Sequence, residues 1–426
     1  MLSPEIRSNL KHNFVVNILD AVFFGAGLGF ASFVTIIPLF VNSLTDSTII
    51  IGIIASLHLV GWQLPQLFTA NEVAGLRIFR PMVLRRTIHE RWPFLALAVV
   101  ALLIPVIPKQ AALALTFIAV VWHSLGSGFT ATAWQSMISK IIPEERRGTF
   151  FGLQSGAANL LSAGMAVIAG VILLNVPYPY NFALCFFLTG ILMFISYAFL
   201  WQAREPEHTP TDKATGQRQL RDKLEDILRR DANFRWFLLA RILGQIAYMA
   251  VGFYTVYAVR QYNMDEQTAG VMTGVLLLGV TAANPVIGWL GDRFGHRRVY
   301  GAGLGMLALS ATLAIFAPSL TWFYVVFGLA GFGQAVLWTT AMGMTAEFGT
   351  DGERPYYIGL SNTLTAPATI LAPIIGGILV DFMGFQTMFA VAVIGGVIGL
   401  VVLQVLVMDP RRLRPAVSVA PAVAAE

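Results

Sequence analysis

The chain has 426 residues, is 56% hydrophobic and only 12% charged, and carries a net charge of +5. An ordinary soluble domain is about 25% charged. With a mean hydropathy of +0.70 and segments such as Leu95 to Val106 that are apolar all round, the composition excludes a soluble protein: no water-facing surface can be built from it.

Met1 to Lys11 has neither the apolar stretch nor the small-residue cleavage site of a signal peptide, so the first crossing is expected to be retained. Apolar stretches long enough for a helix to cross a bilayer are predicted near 14–41, 48–69, 92–107, 111–139, 148–174, 181–201, 235–259, 267–290, 299–318, 320–346, 356–382 and 385–408. The third is short and proline-rich (Pro93, Pro105, Pro108). With both termini in the cytoplasm, only Lys109 and Arg260 face the other side and Arg241 lies within a span, while every other Lys and Arg falls in the tails or the cytoplasmic connections. This positive-inside asymmetry supports twelve crossings with N-in, C-in topology. The lack of any Asn-x-Ser/Thr acceptor suits a bacterial inner membrane. The sole cysteine, Cys185, is in an apolar stretch, so neither an intrachain disulfide nor a cysteine metal cluster is expected.

The polar stretch Arg204 to Asn233 divides the spans six and six. Within it Leu220, Leu224, Ile227 and Leu228 recur at helical spacing among basic residues, predicting an amphipathic helix on the inner leaflet. A shift of 207 positions sets Arg147, Gly152, Leu153 and Gly170 onto Arg354, Gly359, Leu360 and Gly377. The expected fold is therefore an all-α membrane protein of twelve transmembrane helices in two pseudo-symmetric six-helix bundles. Residues 1–203 and 235–408 form the bundles, 204–234 the linker and 409–426 a cytoplasmic tail. Parallel repeats of this kind are a transporter plan, with the substrate site between the halves near the midplane.

The segment Gly288-Trp-Leu-Gly-Asp-Arg-Phe-Gly-His-Arg-Arg298 resembles the signature loop of the major facilitator superfamily, with Gly291, Asp292, Arg293, Gly295, Arg297 and Arg298 in the matching places. Pro143-Glu-Glu-Arg-Arg-Gly148, its counterpart Asp351-Gly-Glu-Arg-Pro355, Ala372-Pro-Ile-Ile-Gly-Gly377 with Asp381, and Pro38 with Leu39 extend the resemblance to both halves. The resemblance implies a conformational latch at Gly288 to Arg298 with Arg147, Arg354, Glu347 and Asp381, the last two read as lying at the inner ends of spans ten and eleven. Asp292 can accept hydrogen bonds from a neighbouring helix N-terminus, and Arg293 can pair with a carboxylate across the gap. The first-half loop, Asn71 to Arg91, departs from the pattern, so a latch there would use other partners, such as Glu72 or Glu90. Span four has Trp122 and His123 where many proton-driven drug exporters have a buried arginine, and span five lacks the Gly-Pro-x-x-x-Gly type of antiporter motif.

Ionisable groups within spans need a partner, a wet cavity or a function. Asp20 and Arg241 stand about two turns into the first and seventh spans. They are expected to face one aqueous path, either as a gate or coupling pair or as a fixed ion pair. His58 and His123 are candidate proton relays or single-bond helix histidines. Gln63, Gln66, Asn159, Gln245, Tyr248, Tyr254, Gln334, Trp338 and Asn362 could line an apolar cavity with a few polar contacts, or bond to neighbouring helices. Glycine strings such as Gly25, Gly27 and Gly29 are expected at close helix packing.

With no nucleotide loop, metal-ligand cluster or serine nucleophile motif, no enzyme activity, metal or cofactor is expected. The expected partners are a small-molecule substrate, the lipid bilayer and a coupling ion such as the proton. No nucleic acid is expected, and the family resemblance implies a monomer. The expected function is a secondary transporter working by alternating access, with proton-coupled export preferred. Uptake of a sugar or other nutrient is the alternative, and a non-transporting receptor or assembly factor is an alternative of another class.

Overall fold

The computed structural model describes residues 4–33, 35–45, 48–207, 217–264, 266–350 and 352–413. Asp351 of the second-half loop motif, the linker at 208–216 and the tail from 414 therefore lie outside the described residues, and so does the side chain of Leu220. Every regular element among the described residues is helical. In chain order these are α1 (Pro4–Phe30), α2 (Ile36–Leu44), α3 (Thr48–Gln63), α4 (Gln66–Ala74), α5 (Arg80–Leu103), α6 (Lys109–Ile141), α7 (Glu144–Asn175) and α8 (Tyr180–Leu200), followed by the linker helix α9 (Gln217–Arg230). The second half comprises α10 (Ala232–Tyr248), α11 (Tyr254–Tyr262), α12 (Glu266–Phe294), α13 (His296–Phe316), α14 (Trp322–Ala335), α15 (Ala341–Thr345), α16 (Arg354–Met383), α17 (Phe385–Val405) and α18 (Pro410–Leu413).

Ten helical segments among the described residues are long and apolar enough to cross a membrane. The second and third predicted spans are not among them. The stretch 48–69 is broken at Leu64–Pro65 into α3 and α4, as expected where proline lacks the N–H that would continue the ladder. The stretch 92–107 belongs to α5, which starts at Arg80 and carries its charges into the helix, with Glu90 and Arg91 buried. Other spans are interrupted too: α1 gives way to α2 after Phe30, a 3₁₀ turn at Met249–Phe253 separates α10 from α11, and a π turn at Val336–Thr340 separates α14 from α15. Such breaks in long helices recur at functional hinges and binding sites.

Both described chain ends lie on one face of the helix array, called here the terminal face. Asn13 at the start of α1 clamps the backbone of Arg204 just beyond α8, donating at 2.7 Å and accepting at 2.8 Å. Asn233 at the start of α10 clamps Met408 beyond α17 in the same way, at 2.9 and 2.7 Å. The 207-residue repeat is visible at the same level: Arg147 donates to the carbonyl of Ser139 and Arg354 to that of Ala346, each eight residues back. Each guanidinium thus satisfies the carbonyl end of the preceding helix, where a positive charge also complements the helix dipole.

The first half buries Phe40, Phe94, Phe182 and Phe186 in one aromatic core, and the second buries Phe323, Phe327, Phe389 and Tyr254 in another. Gly25 and Gly29 allow α1 to touch α7 backbone to backbone, since added Cβ atoms would lie 2.5 Å from the Ala158 carbonyl and 2.4 Å from that of Ser162. Glu205 anchors the start of the linker by accepting from the backbone of Phe79 and Arg80 at 2.9 and 2.7 Å, and by pairing with Lys140 at 2.7 Å.

The linker helix α9 is amphipathic as its spacing predicts, but its apolar face is turned into the protein instead of onto lipid. Ile227 is fully buried with Ala70, Ala74, Tyr356 and Tyr357, and Leu224 and Leu228 pack against the same cluster. Arg230 pairs with Glu353, and the Tyr357 hydroxyl donates to Asp231 at 2.8 Å. The apolar surface between α4 and α16 holds the middle of α9 and the polar contacts of Arg230 and Asp231 fix its C-terminal end, so the helix straps the two halves together on the terminal face.

Candidate functional site

The halves meet along two seams, both toward the terminal face. In the first, α7 lies on α12 with almost no side chain between them. An added Cβ at Gly148 would lie 2.5 Å from the Gly288 carbonyl, one at Gly288 would lie 2.2 Å from that of Gly148, and one at Gly152 would lie 2.3 Å from that of Asn284. Asp292 sits at the end of this seam, its two carboxylate oxygens accepting from the backbone N–H of Gly148 at 2.8 Å and Thr149 at 2.6 Å. Further along the same helix faces the contact is lost: a Cβ at Gly170 or at Gly274 meets nothing within 4 Å. From Gly148 to Gly170 is about 33 Å of helix, so the halves touch at one end and diverge at the other.

The second seam sets α16 against α4. Gly359, the repeat counterpart of Gly152, brings α16 within 3.1 Å of the Leu67 backbone, measured from an added Cβ. Asn362 donates to Gln66 at 2.6 Å, Thr363 to the Gln63 carbonyl at 3.2 Å, and the Tyr356 hydroxyl to Asn71 at 3.1 Å. Neither Glu72 nor Glu90 spans this seam. Glu72 pairs with Arg86 at 2.5 Å and Glu90 with Arg91 at 2.8 Å, both within the first half. The cross-half polar contact here is neutral because Asn71 is the residue that faces Tyr356.

The loop residues divide by role. Gly291 leaves room for His296, which would meet an added Cβ at 2.7 Å, and Gly295 takes the left-handed φ of 92° between α12 and α13. Arg293 reaches no carboxylate among the described residues; it is exposed and stacks over Trp289 and Phe294 at 5.3 and 5.5 Å. Arg297 bonds the carbonyl of Leu403 at 3.1 Å within its own half, and Arg298 is exposed. Arg147 and Arg354 close helix ends within their halves, as described above. Glu347 is buried against His296 at 2.5 Å and Arg411 at 2.7 Å. The same Arg411 donates to the Asp292 carbonyl at 3.0 Å and lies 3.9 Å from Glu144 of the first half. Burial pushes the Glu347 carboxyl up, but His296 and Arg411 outweigh it and hold the group below the usual carboxylate range. Asp381 corrects an expectation. It is exposed in the last turn of α16, a helix that begins at the terminal face with Arg354 and runs about 45 Å, so it stands at the opposite face from Glu347.

Above the seams one predicted cavity residue, Trp338, meets the other half. Trp62 and Trp338 face each other across the halves at 6.0 Å, and Thr339 contacts Ser155 at 3.5 Å. The π turn at Val336–Thr340 displays these two side chains. Asn159 is exposed one turn beyond Ser155, and Gln63 and Gln334 each hold a buried carbonyl oxygen with no hydrogen-bond partner among the described residues. Gln245 is buried one turn along α10 from Arg241, with Tyr248 beyond it. Tyr254 is not at the seam: it is fully buried in the second-half core, with its hydroxyl 2.9 Å from Ser310.

The intramembrane charges are arranged differently from the sequence expectation. Asp20 does not meet Arg241. It turns into the first half, where Ser196 donates to it at 2.6 Å and Arg91 lies 3.3 Å away. Arg91 also holds Glu90 and donates to the Met193 carbonyl at 3.0 Å, and Thr87 donates to Glu90. His123 contacts the Glu90 carbonyl at 2.6 Å and stacks 5.3 Å from His58, with Phe33 against both rings. Arg241 donates instead to Ser361 and, at 3.4 Å, to Asn362. Arg91 falls at the end of the basic loop, one residue before the predicted third span at 92–107, so the span limits do not mark it as buried. Its phase was legible, since Thr87, Glu90, Arg91, Phe94, Leu97 and Ala98 form one buried helical stripe. His296, Arg411 and Glu144 carried no comparable signal, being brought together from three separate segments.

Two interrupted helical halves thus meet at one end through glycine seams and a carboxylate-capped helix, in a protein with ten segments long and apolar enough to cross a membrane. The Major Facilitator Superfamily pattern matches residues 19–265 and again 238–425, and the chain belongs to that family. The structure is similar to a bacterial homologue of the iron transporter ferroportin in its outward-facing state, with a TM-score of 0.74 and 16% identity, covering 92% of this chain and 98% of that one. It is similar also to the transporter FucP in the outward conformation, with a TM-score of 0.74 and 14% identity over 92% of this chain and 98% of that one. Among curated sequences it is 29% identical over 156 residues to the tetracenomycin C resistance and export protein of Streptomyces glaucescens, which is 36% of this chain and 29% of that protein. The chain spans under a third of the length of such relatives.

Proposed function

We propose that the chain is a secondary active transporter that moves a small molecule across the membrane by alternating access. The observation that carries this reading is the asymmetry along α7 and α12: glycine contacts and reversible hydrogen bonds close the terminal face, while the faces of these two helices are free of each other toward the opposite face. Breaking the Asp292 and Asn362 contacts and making new ones at the far end would exchange the open side.

In this reading α1 with α2, α3 with α4, and α5 supply the first three crossings, for twelve in two six-helix bundles at 1–203 and 235–408. The placement of Lys and Arg favours a cytoplasmic terminal face, N-in and C-in, in a bacterial inner membrane. The state described is then outward-open with a closed cytoplasmic side, and Asp292 with Glu347, Arg411 and the seam glycines forms the cytoplasmic latch. The protein works as a monomer, since each chain contains both halves.

Asp20, Glu90 and Arg91 form the coupling site. Two buried carboxylates share one guanidinium, so the cluster carries one negative charge when both are ionised, and uptake of a single proton makes it neutral in a medium that penalises net charge. Exchange of that proton for a solute accounts for export, the activity named for the Streptomyces relative. The test is solute-evoked proton movement in proteoliposomes with an entrapped pH dye. With solute loaded in the lumen and diluted into solute-free buffer, wild type should acidify the lumen as protons enter in exchange for departing solute, and Asp20→Asn should retain solute counterflow while losing the pH signal. Proton movement unchanged in Asp20→Asn would reject this coupling site, and ligand binding without counterflow in wild type would favour a receptor.

A further inference from the structure

Arg241 differs from the other deeply buried arginines. Arg91 has two carboxylates, and Arg147 and Arg354 close on the carbonyl ends of helices. Arg241 is 7% exposed, its polar neighbours are the uncharged side chains of Ser361 and Asn362 and the buried Tyr300 hydroxyl, and no carboxylate among the described residues lies within 4.0 Å of it. A guanidinium does not lose its proton to escape burial. An uncompensated charge at this depth is costly, and in a membrane helix it points to a ligand or a pathway.

Its surroundings state the sign of that ligand. Asn362 receives Arg241 on its oxygen and donates its amide to Gln66 of the first half. Gln66 donates to the Trp62 carbonyl, Thr363 reaches the Gln63 carbonyl, and Gln245 stands one turn further along α10. These groups form the floor where the halves meet, and Arg241 is the one ionised side chain among them. The intramembrane carboxylates Asp20 and Glu90 are held at Arg91 inside the first half. The floor therefore favours an anion and repels a cation, and the facing rings of Trp62 and Trp338 beside it suit an aromatic or apolar body.

We infer that Arg241 is the recognition site for the anionic group of the substrate, a carboxylate or sulfonate on an amphiphilic body, and that its capture unlocks the floor. This inference rests on the transporter reading and names its substrate class. The contact from Arg241 to Asn362 is long, at 3.4 Å, whereas two oxygens of a carboxylate or sulfonate can accept two donors of the guanidinium fork at once. An anion on Arg241 takes the place of the Asn362 oxygen. Asn362 is then free to leave Gln66, and the contact that ties α16 to α4 is lost. Binding and opening are thereby linked through one amide, so the ligand favours the state in which the seam has parted.

The test uses the purified full chain and three probes: 2-naphthalenesulfonate, its neutral isostere 2-naphthalenesulfonamide, and the cation tetraphenylphosphonium. The sulfonate should raise the melting temperature of the wild type, whereas the other two should not. Arg241→Gln should weaken sulfonate binding by roughly 10- to 150-fold, and Arg241→Lys should recover part of it. Without ligand, Arg241→Gln should melt no lower than wild type, because the residue has no partner of opposite charge to lose. A sulfonate shift that survives in Arg241→Gln, equal shifts from the neutral or cationic probe, or no sulfonate shift in wild type would each overturn the assignment. Counterflow of labelled sulfonate in proteoliposomes separates this from the broader reading. Counterflow of the cation by wild type and Arg241→Gln alike overturns the anion site and leaves transport standing. Arg241-dependent binding without counterflow keeps the anion site and overturns transport.

Discussion

Replacing Gly288 by alanine should open the closed face. The added Cβ would stand 2.2 Å from the Gly148 carbonyl oxygen and 3.0 Å from the Gly152 Cα. An ordinary carbon-to-oxygen contact needs about 3.3 Å, so α7 and α12 would have to separate by about 1 Å. Both clashing atoms are backbone, so no side-chain rotation relieves them. Overpacking of this kind costs about 1–3 kcal/mol, and only while the seam is closed. The gain in helix propensity from Gly to Ala, up to about 1 kcal/mol, is present in both states and cancels. The ratio of open to closed terminal face should therefore rise by roughly 5- to 150-fold. Spin labels at Arg146→Cys and Arg298→Cys, exposed positions on opposite halves of that face, can follow it in a Cys185→Ala background by pulsed dipolar spectroscopy. A longer-distance population should grow in Gly288→Ala. A distance distribution identical to that of the parent, in protein of unchanged melting temperature, would refute the claim that backbone contact closes this seam.

The same label pair should report a similar shift for Asp292→Ala, which removes two charge-assisted acceptors from the Gly148 and Thr149 amides, and a smaller one for Asp292→Asn, which keeps one oxygen. Equal distances in all three proteins would rule out a role for Asp292 in holding the seam. Glu347 supplies a pH signature. Because its carboxyl titrates below the ordinary range in the folded chain, its stabilising contribution is fully present above about pH 4.3 and is lost as pH falls through the lower folded value. Arg411→Gln removes one of the two partners that hold it there, so the folded value moves up toward the unfolded one and the variant, less stable at neutral pH, should lose less stability on acidification than wild type. Coincident melting curves against pH for the two proteins would contradict the pairing.

Much of this protein is written in its composition and periodicity, because lipid and water sort residues locally. The apolar stretches, the basic linker, the amphipathic spacing of Leu224, Ile227 and Leu228, and the repeat of Arg147 in Arg354 all follow from which solvent each segment meets. Which side chains meet one another does not, because it depends on helix rotation and helix limits that only packing settles. The extension of α5 back to Arg80 placed Arg91 among the buried residues, and its rotation gave Asp20 a partner in Arg91 and left Arg241 to Ser361 and Asn362. The groove between α4 and α16 drew α9 off the lipid, and the direction of α16 carried Asp381 to the opposite face. The hydrogen bonds of Asp292 to α7 and of Arg411 to Asp292 and Glu347 join residues more than 60 positions apart. Local patterning carries no record of such contacts; the tertiary structure decided them, and with them which face is closed.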